Sequence, residues 1–440
     1  MATTRLENGI VVTLGKKNRV LWNGAVVIDG EHIAAVGDAA EMKKRYPNAV
    51  VIDCAGKVIL PGFINTHHHF YSTLARGMAP PGEPASNFVE ILERLWWKLD
   101  IALSEEDITP SAQIPLIESI RNGTTTIIDH HASPSYRNGS LDLIENAVRE
   151  AGLRASLCYE VSDRNTTGAG IAENERFIKK VGQGDGQIAS IMGLHASFTV
   201  CDETVERCVG IANDAGVGCH IHVAEDAADR ADSLTKYGIP TVNRLHNLGV
   251  TGEKSIFVHC VHVDEAEMDI LAATDTIVVH NPESNMNNAV GVTKLLKLLE
   301  KGVLVGLGTD GMSSDMLAQM RAAYLLHRLD NRDPRVAFTE APQLLLQNNA
   351  EIAARQFGIR LGEIAEGLPA DIAVLDYHPP TPLTEANFLG HLIFGLVGSS
   401  VDTTICRGKI LMRNKEILTL DEERITERSR ELAPEVWKRL

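Results

Sequence analysis

The sequence has no apolar run of the ~18 residues that a membrane-spanning helix requires, so no such span is expected. Its opening, Met-Ala-Thr-Thr-Arg-Leu-Glu-Asn-Gly, lacks the apolar core of a secretory signal, and export by that route is not expected. There is no Cys-x-x-Cys pair. The seven cysteines are scattered and odd in number, which argues against a thiolate zinc site or a disulfide framework and fits reduced thiols in the cytoplasm. There is no Lys/Arg run either. The formal net charge is -16, so a phosphate backbone would be repelled and nucleic acid is not an expected partner. What remains is an ordinary soluble composition, 44% hydrophobic and 23% charged, over 440 residues. That length suits one large catalytic domain with a smaller satellite.

Two textures alternate along the chain. Residues 8–57 read as short strands broken by Asn-Gly and Asp-Gly turns, with a brief helix at 38–46. From residue 58 apolar runs alternate with amphipathic helical stretches. The runs are Val58–Phe63, Thr124–Ile128, Ala155–Tyr159, Ile188–Leu194, Val217–Val223, Ser255–His259, Thr276–Val279 and Val303–Leu307. Helices are expected between them at 141–151, 203–215, 264–273 and 315–329, the first with Ser140 as N-cap and Gly152 just past its end. Eight strand–helix units predict an α/β fold, a (β/α)8 TIM barrel over residues 58–364. Strand-and-turn texture returns after about residue 364, so residues 1–57 and 365–440 are expected to form one small β-sandwich domain, with a charged terminal helix at 421–440.

In such barrels function gathers at the C-terminal ends of the strands. His67, His68 and His69 end the first strand, His130 and His131 the second, His195 the fourth, His220 and His222 the fifth, His259 the sixth, His280 the seventh and Asp310 the eighth. Alternate residues of a strand share a face, so His67 and His69 can bind one ion while His68 points away. His222 offers a third nitrogen. His220 shares its face but lies deeper, as a second ligand or a buried barrel histidine. Glu225, three residues on, is placed to act as base and then acid over a metal site, or is a solvated loop residue. Arg76 is a candidate to hold a substrate carbonyl or carboxylate, or is a structural loop arginine. Trp96 and Trp97 are expected in the core or an interface.

The stretch Gly306-Leu-Gly308-Thr-Asp310-Gly311 also fits the dinucleotide pattern Gly-x-Gly-x-x-Gly. It lies at the eighth strand instead of in an opening β-α-β unit, and the acid about 20 residues on, Asp330, ends a helix. A nicotinamide cofactor would also leave the histidines unexplained. Three imidazoles and a carboxylate suit Zn²⁺, or Fe²⁺, better than the oxygen-seeking Mg²⁺ or Ca²⁺. One divalent ion, zinc foremost, is therefore expected, with a position left open for water.

Pro61-Gly-Phe-Ile-Asn-Thr-His67-His-His69, His220-Ile-His222-Val-Ala-Glu225, the strand-six His259 and Gly308-Thr-Asp310-Gly together resemble the amidohydrolase superfamily. Within it they are similar to the cytosine/guanine deaminase and chlorohydrolase branch. The likeness runs the whole length, including Glu366-Gly-Leu-Pro-Ala-Asp-Ile372. His69-Phe-Tyr-Ser, Asp129-His-His-Ala-Ser-Pro, Asp163-Arg-Asn, His280-Asn-Pro-Glu-Ser-Asn-Met-Asn-Asn and Gly308-Thr-Asp-Gly-Met-Ser-Ser-Asp resemble most the SsnA-type aminohydrolases.

The resemblance implies a mononuclear site with ligands His67, His69, His222 and Asp310, the last also a base. It implies Glu225 as proton shuttle, His259 as partner of the attacking water or substrate, and His195 as a substrate-facing group. Binuclear relatives carry a strand-four lysine, and residues 189–199 contain none. Two features depart from the branch. Asn281-Pro282 stands where Cys-Pro is common, and the pair His130-His131 is not general; both lie where substrate is expected. The expected reaction is deamination of a small amino-substituted purine, pyrimidine, pterin or triazine-like ring. The alternatives are hydrolysis of an amide, imide or C–Cl bond by the same site, or a barrel subunit that has lost catalysis. Relatives of this kind lead to the expectation of a homodimer or larger homo-oligomer.

Overall fold

The computed structural model describes residues 3–15, 17–79 and 82–440. Eight parallel strands form the centre. They are β1 (Phe63–His68), β2 (Thr124–His131), β3 (Arg154–Tyr159), β4 in two pieces (Ile188–Ser190 and Met192–Ala196), β5 (Cys219–Val223), β6 (Ile256–His259), β7 (Ile277–His280) and β8 (Val305–Leu307). Each pairs in parallel with the next, apart from the break inside β4. Parallel bridges from Val161 to Leu194 and from His68 to Asp310 join the remaining edges, so the strands follow one another around the expected barrel. Every residue of these strands is buried. Barrel strands are covered on both faces, which is why they read as continuous apolar runs without alternation.

The helices outside the barrel lie close to their expected places, at Ser140–Ala151, Asp202–Ala215, Glu265–Ala273 and Met316–Asn331. Ser140 is not the cap of the first. Gly139 occupies that position, and the Glu173 carboxylate of the next helix accepts from the N–H groups of Gly139 (3.0 Å) and Leu141 (3.1 Å). A neighbouring acid thus satisfies the free N–H groups that a serine cap would otherwise serve.

The small domain unites both chain ends. Five strands from residues 4–61 and four from residues 372–417 form one nine-stranded sheet. In the expected small β domain the strands are thus hydrogen-bonded into one continuous sheet, and Arg407 at one hairpin reaches Glu31 at another, 2.9 Å apart. Its core includes Leu6, Val26, Ile59, Ile372 and Ile405.

The expected opening of the barrel at Val58 is displaced. Val58–Pro61 pairs with Thr4–Val12 and Ile372–Asp376 in the small sheet, and the barrel begins at Phe63. Gly62 is the crossing point: its N–H donates to Asp371 O at 2.9 Å, and the next, Phe63 N–H, donates to Gly123 O at 2.9 Å. A Cβ on Gly62 would lie 2.3 Å from Thr125 Cγ2, so only glycine fits where the two sheets meet.

Candidate metal centre and pocket

His67 and His69 end β1, His222 ends β5, and Asp310 follows β8. One donor atom from each lies within 4.8 Å of the others. His69 Nε2 is 3.2 Å from His222 Nε2 and 3.2 Å from Asp310 Oδ1, and His67 Nε2 is 3.7 Å from that same oxygen. The outer nitrogens are tied back. His69 Nδ1–H donates to His130 O at 2.6 Å, and His222 Nδ1–H donates to His195 O at 2.7 Å. Each bond leaves an Nε2 lone pair aimed inward, as a metal ligand needs. His67 Nδ1 lies 2.9 Å from His220 Nε2, and His67 Nε2 is buried with no hydrogen-bond partner. A buried acceptor without a partner, surrounded by two more imidazoles and a carboxylate, fits a bound cation.

Burial holds His67 and His222 well below the usual histidine pKa, so both are neutral and free to ligate. At Asp310 burial acts the other way, but the imidazoles gathered around it, His67 and His69 foremost, outweigh it and keep the carboxylate ionised. The same partner overcomes burial at His69 and lifts that imidazole to about 9, a protonation that a cation in the cluster would displace. His68 turns outward to Thr309 Oγ1 at 2.8 Å. His220 lies beneath the cluster and supports His67, its other nitrogen 3.8 Å from Cys158 Sγ. Burial pushes that thiol well up, so Cys158 is no thiolate ligand.

A second group adjoins the first. His259 Nε2 is 3.3 Å from Glu225 Oε2 and 3.6 Å from Asp310 Oδ2. His259 Nδ1 lies 2.8 Å from Asn285 Oδ1, which holds the ring with Nε2 towards Glu225 and Asp310. Asp310 Oδ2 accepts from Ser284 Oγ–H at 2.5 Å, and Glu225 Oε1 from Asn288 Nδ2–H at 3.3 Å. Burial raises Glu225 to about 7, with His259 opposing. The backbone here is strained. Ala224, His259, Cys260 and Asp310 have φ of 46°, 71°, 48° and 54° without being glycines. Such strain gathers where side-chain position matters more than backbone comfort.

Above the cluster opens a pocket of about 800 Å³, counting its mouth. His195 lines it, with Nδ1 2.7 Å from Thr199 Oγ1 and Nε2 3.2 Å from Glu160 Oε1. Glu160 follows β3 directly. Burial opposes its ionisation, but His195, His130 and Arg164 hold it well below the usual carboxylate range. Arg164 also pairs with Asp100 at 2.9 Å and stacks over Trp97 at 5.0 Å. Trp96 and Trp97 pack against the buried cluster of Phe88, Leu92, Val261 and Val290 and also line the pocket. Between Phe88 and Ala102 the helix contains one π turn, in which Trp97 N–H reaches Leu92 O. The extra residue keeps Phe88, Leu92, Trp96, Trp97 and Asp100 on the pocket side, a use typical of such turns.

Three candidate substrate contacts lie elsewhere. His130 is buried under the cluster, with Nε2 3.2 Å from His220 O and Nδ1 3.5 Å from Glu160 Oε2. His131 bonds Ser133 Oγ at 2.9 Å. Arg76 is bound to Glu118 (Nη2 to Oε2, 3.1 Å), with its side chain 56% exposed. These three hold structure around the site and do not line the pocket. His280 is spent on His327, Nε2 to Nε2 at 3.1 Å. The glycine pattern at β8 is a packing feature. A Cβ on Gly308 would come 2.5 Å from Asn281 Oδ1 and 2.9 Å from His67 Cβ, and the next helix begins only at Met316.

Residues 58–411 match the amidohydrolase family, and residues 24–49 match a bacterial imidazolonepropionase-like composite domain. The chain is 32% identical to a 5-methylthioadenosine/S-adenosylhomocysteine deaminase of Pelotomaculum thermopropionicum, over 97% of this chain and 96% of that one. It is 32% identical to a 5'-deoxyadenosine deaminase of Methanosarcina barkeri, over 100% of both. The fold is that of a zinc-bound adenosine deaminase from Xanthomonas campestris, with TM-score 0.88 and 24% identity over 99% of each chain.

Proposed function

The chain belongs to the amidohydrolase family, and from that premise we propose that it is a one-zinc aminohydrolase that replaces an amine on a small heterocycle by oxygen and releases ammonia. The observation that carries this reading is the pairing of a four-donor cluster with Glu225, a buried carboxyl group near 7 beside His259. Simple amide hydrolysis can proceed with the aspartate alone, whereas an aromatic ring must also be protonated as it is attacked.

A zinc ion held by His67, His69, His222 and Asp310 would supply the Lewis acidity that makes water nucleophilic at neutral pH. Asp310 and His259 orient the attacking water between them. Asp310 accepts its first proton. Glu225 is available in both protonation states near neutrality, so it gives its proton to the ring nitrogen and is recharged by the remaining O–H proton of the added water, while the proton held by Asp310 passes to the departing amine. The balance is a ring C–NH₂ and water giving a ring carbonyl and ammonia. The aromatic wall of Trp96, Trp97 and Phe198 keeps bulk water from the reacting carbon.

Free cysteines at all seven positions support a cytoplasmic enzyme. Leu329 and Phe394, 78% and 69% exposed, support assembly as a homodimer or larger, which light scattering checks. The relatives' names make adenosine-type nucleosides the first compounds to try. The test is ammonia release by zinc-loaded protein across purines, purine nucleosides, pyrimidines, pterins and triazines, with and without chelator. We expect chelator-sensitive release from at least one class. Release from none of them overturns the reading.

A further inference from the structure

The pocket shows an imbalance of charge. Six carboxyl groups line it: Asp100, Glu160, Glu225, Asp226, Asp229 and Asp310. Among the described residues that line it, none is a lysine or an arginine. Most of these acids are already engaged. Asp310 and Glu225 belong to the metal side. Asp229 accepts from Ala224 N–H at 2.6 Å through one oxygen, its Oδ1 being without a partner, and Asp226 caps the helix Ala227–Tyr237.

Glu160 is different. It is 3% exposed, and its Oε2 accepts no hydrogen bond, the nearest donor being the buried His130 Nδ1 at 3.5 Å. Its Oε1 has His195 Nε2 at 3.2 Å. Arg164 stands 3.7 Å away and gives its closer contact, 2.9 Å, to Asp100, whose Oδ1 is also without a partner. One guanidinium is thus shared by two buried carboxylates. A buried carboxylate with an unused oxygen costs stability unless something completes it. The position tells what completes it. A donor atom of Glu160 lies within 4.8 Å of those of His69 and His130, and Glu160 lines the pocket, so the carboxylate stands beside the metal cluster where the pocket meets it.

We infer that Glu160 is the specificity residue of this pocket: it accepts a hydrogen bond from an N–H or O–H of an uncharged heterocyclic substrate, and the acidic wall excludes substrates bearing a carboxylate or phosphate. This rests on the aminohydrolase reading and narrows it. Adenosine 5'-monophosphate carries an ionised phosphate, whereas 5'-deoxyadenosine carries no charge at neutral pH. The pocket accordingly favours the second kind of molecule. Away from the metal, an anionic group entering it meets carboxylates with no lysine or arginine among the lining residues to answer them, which disfavours it in a desolvated site.

The test uses matched pairs of one ring with and without an anionic group: adenosine with adenosine 5'-monophosphate, and pterin with pterin-6-carboxylate. Ammonia release is measured on zinc-loaded enzyme. Binding is measured by calorimetry on zinc-loaded Glu225→Gln protein. For the ring that is accepted, the neutral member should be preferred by about 100-fold or more in both kcat/KM and affinity. Glu160→Gln should cut that preference to below about tenfold, mainly through a higher KM for the neutral member, at unchanged zinc content. Glu160→Asp should restore part of it. Equal handling of both members by the wild type overturns the inference. So does an unchanged ratio in folded, zinc-replete Glu160→Gln, and so does a pocket that binds no member of any pair. If neutral members bind with the stated preference but release no ammonia, the proposed reaction fails and the charge selection stands.

Discussion

The two walls of the pocket are built on different principles. The metal wall comes from the ends of β1, β5 and β8, where strand geometry and backbone hydrogen bonds fix each side chain. His69 and His222 are each held by a carbonyl, at 2.6 and 2.7 Å. The opposite wall comes from a helix with a π turn and from the segments after β3 and β4. Its polar groups hold one another, Asp100 to Arg164 to Glu160 to His195, and two of its carboxylate oxygens are left without partners. The first wall is complete before a substrate arrives. The second is completed by one. Rigid strand ends suit chemistry that tolerates little displacement, and loop and helix residues suit a choice between related ligands.

The largest effects should therefore come from the metal wall. Asp310→Ala and His69→Ala should lose stoichiometric zinc and drop turnover to background, read by metal analysis beside the ammonia assay. If either keeps one zinc per chain, the assigned ligand set is wrong. Next is Glu225→Gln, which should lose about 10²–10⁴-fold in kcat while zinc stays bound. Full activity there would remove its role as proton carrier. Asn285→Ala acts one step back. It frees the His259 ring that Asn285 holds at 2.8 Å and should cost about 10–100-fold, with zinc retained.

The same contrast decides what can be read from sequence. Ligands spaced two apart on a strand announce themselves as His-x-His, and eight apolar runs count out a barrel. The acid after β3 was open to the same strand-end rule, but Tyr159-Glu160 carries no histidine to draw attention. Trp96, Trp97 and Asp100 had no such marker. An ordinary helical period describes their segment as an amphipathic helix, and only the π turn shows which side faces the pocket. His130 and His131 misled in the opposite direction. They sit at a strand end as the ligands do, yet His130 contributes its carbonyl to His69 and both rings are buried. The boundary at residue 58 was hidden because Val58–Pro61 is as apolar as a barrel strand, and the switch between sheets rests on the backbone contacts of Gly62.

Smaller effects belong to the second wall. Trp97→Ala removes one aromatic face and the stacking partner of Arg164, so KM should rise by about tenfold with kcat changed little. If kcat falls instead while KM holds, the tryptophan acts on the chemistry, and the division between the walls is less sharp than drawn.

The smallest effect tests the edge of the second wall. Arg76 has the charge to hold an anionic substrate and follows the metal-binding strand by only seven residues from His69. In the structure it is spent on Glu118, outside the pocket, with a side chain 56% exposed. An exposed ion pair contributes ~0–1 kcal/mol and cannot position a ligand it does not reach. Arg76→Ala should thus leave kcat/KM within about twofold and shift stability by less than ~1 kcal/mol in denaturant titration. A rise in KM confined to anionic substrates would instead mean that the Arg76–Glu118 pair opens and lends the pocket the cation it otherwise lacks. That outcome would move Arg76 into the substrate wall and weaken the case for charge selection by Glu160.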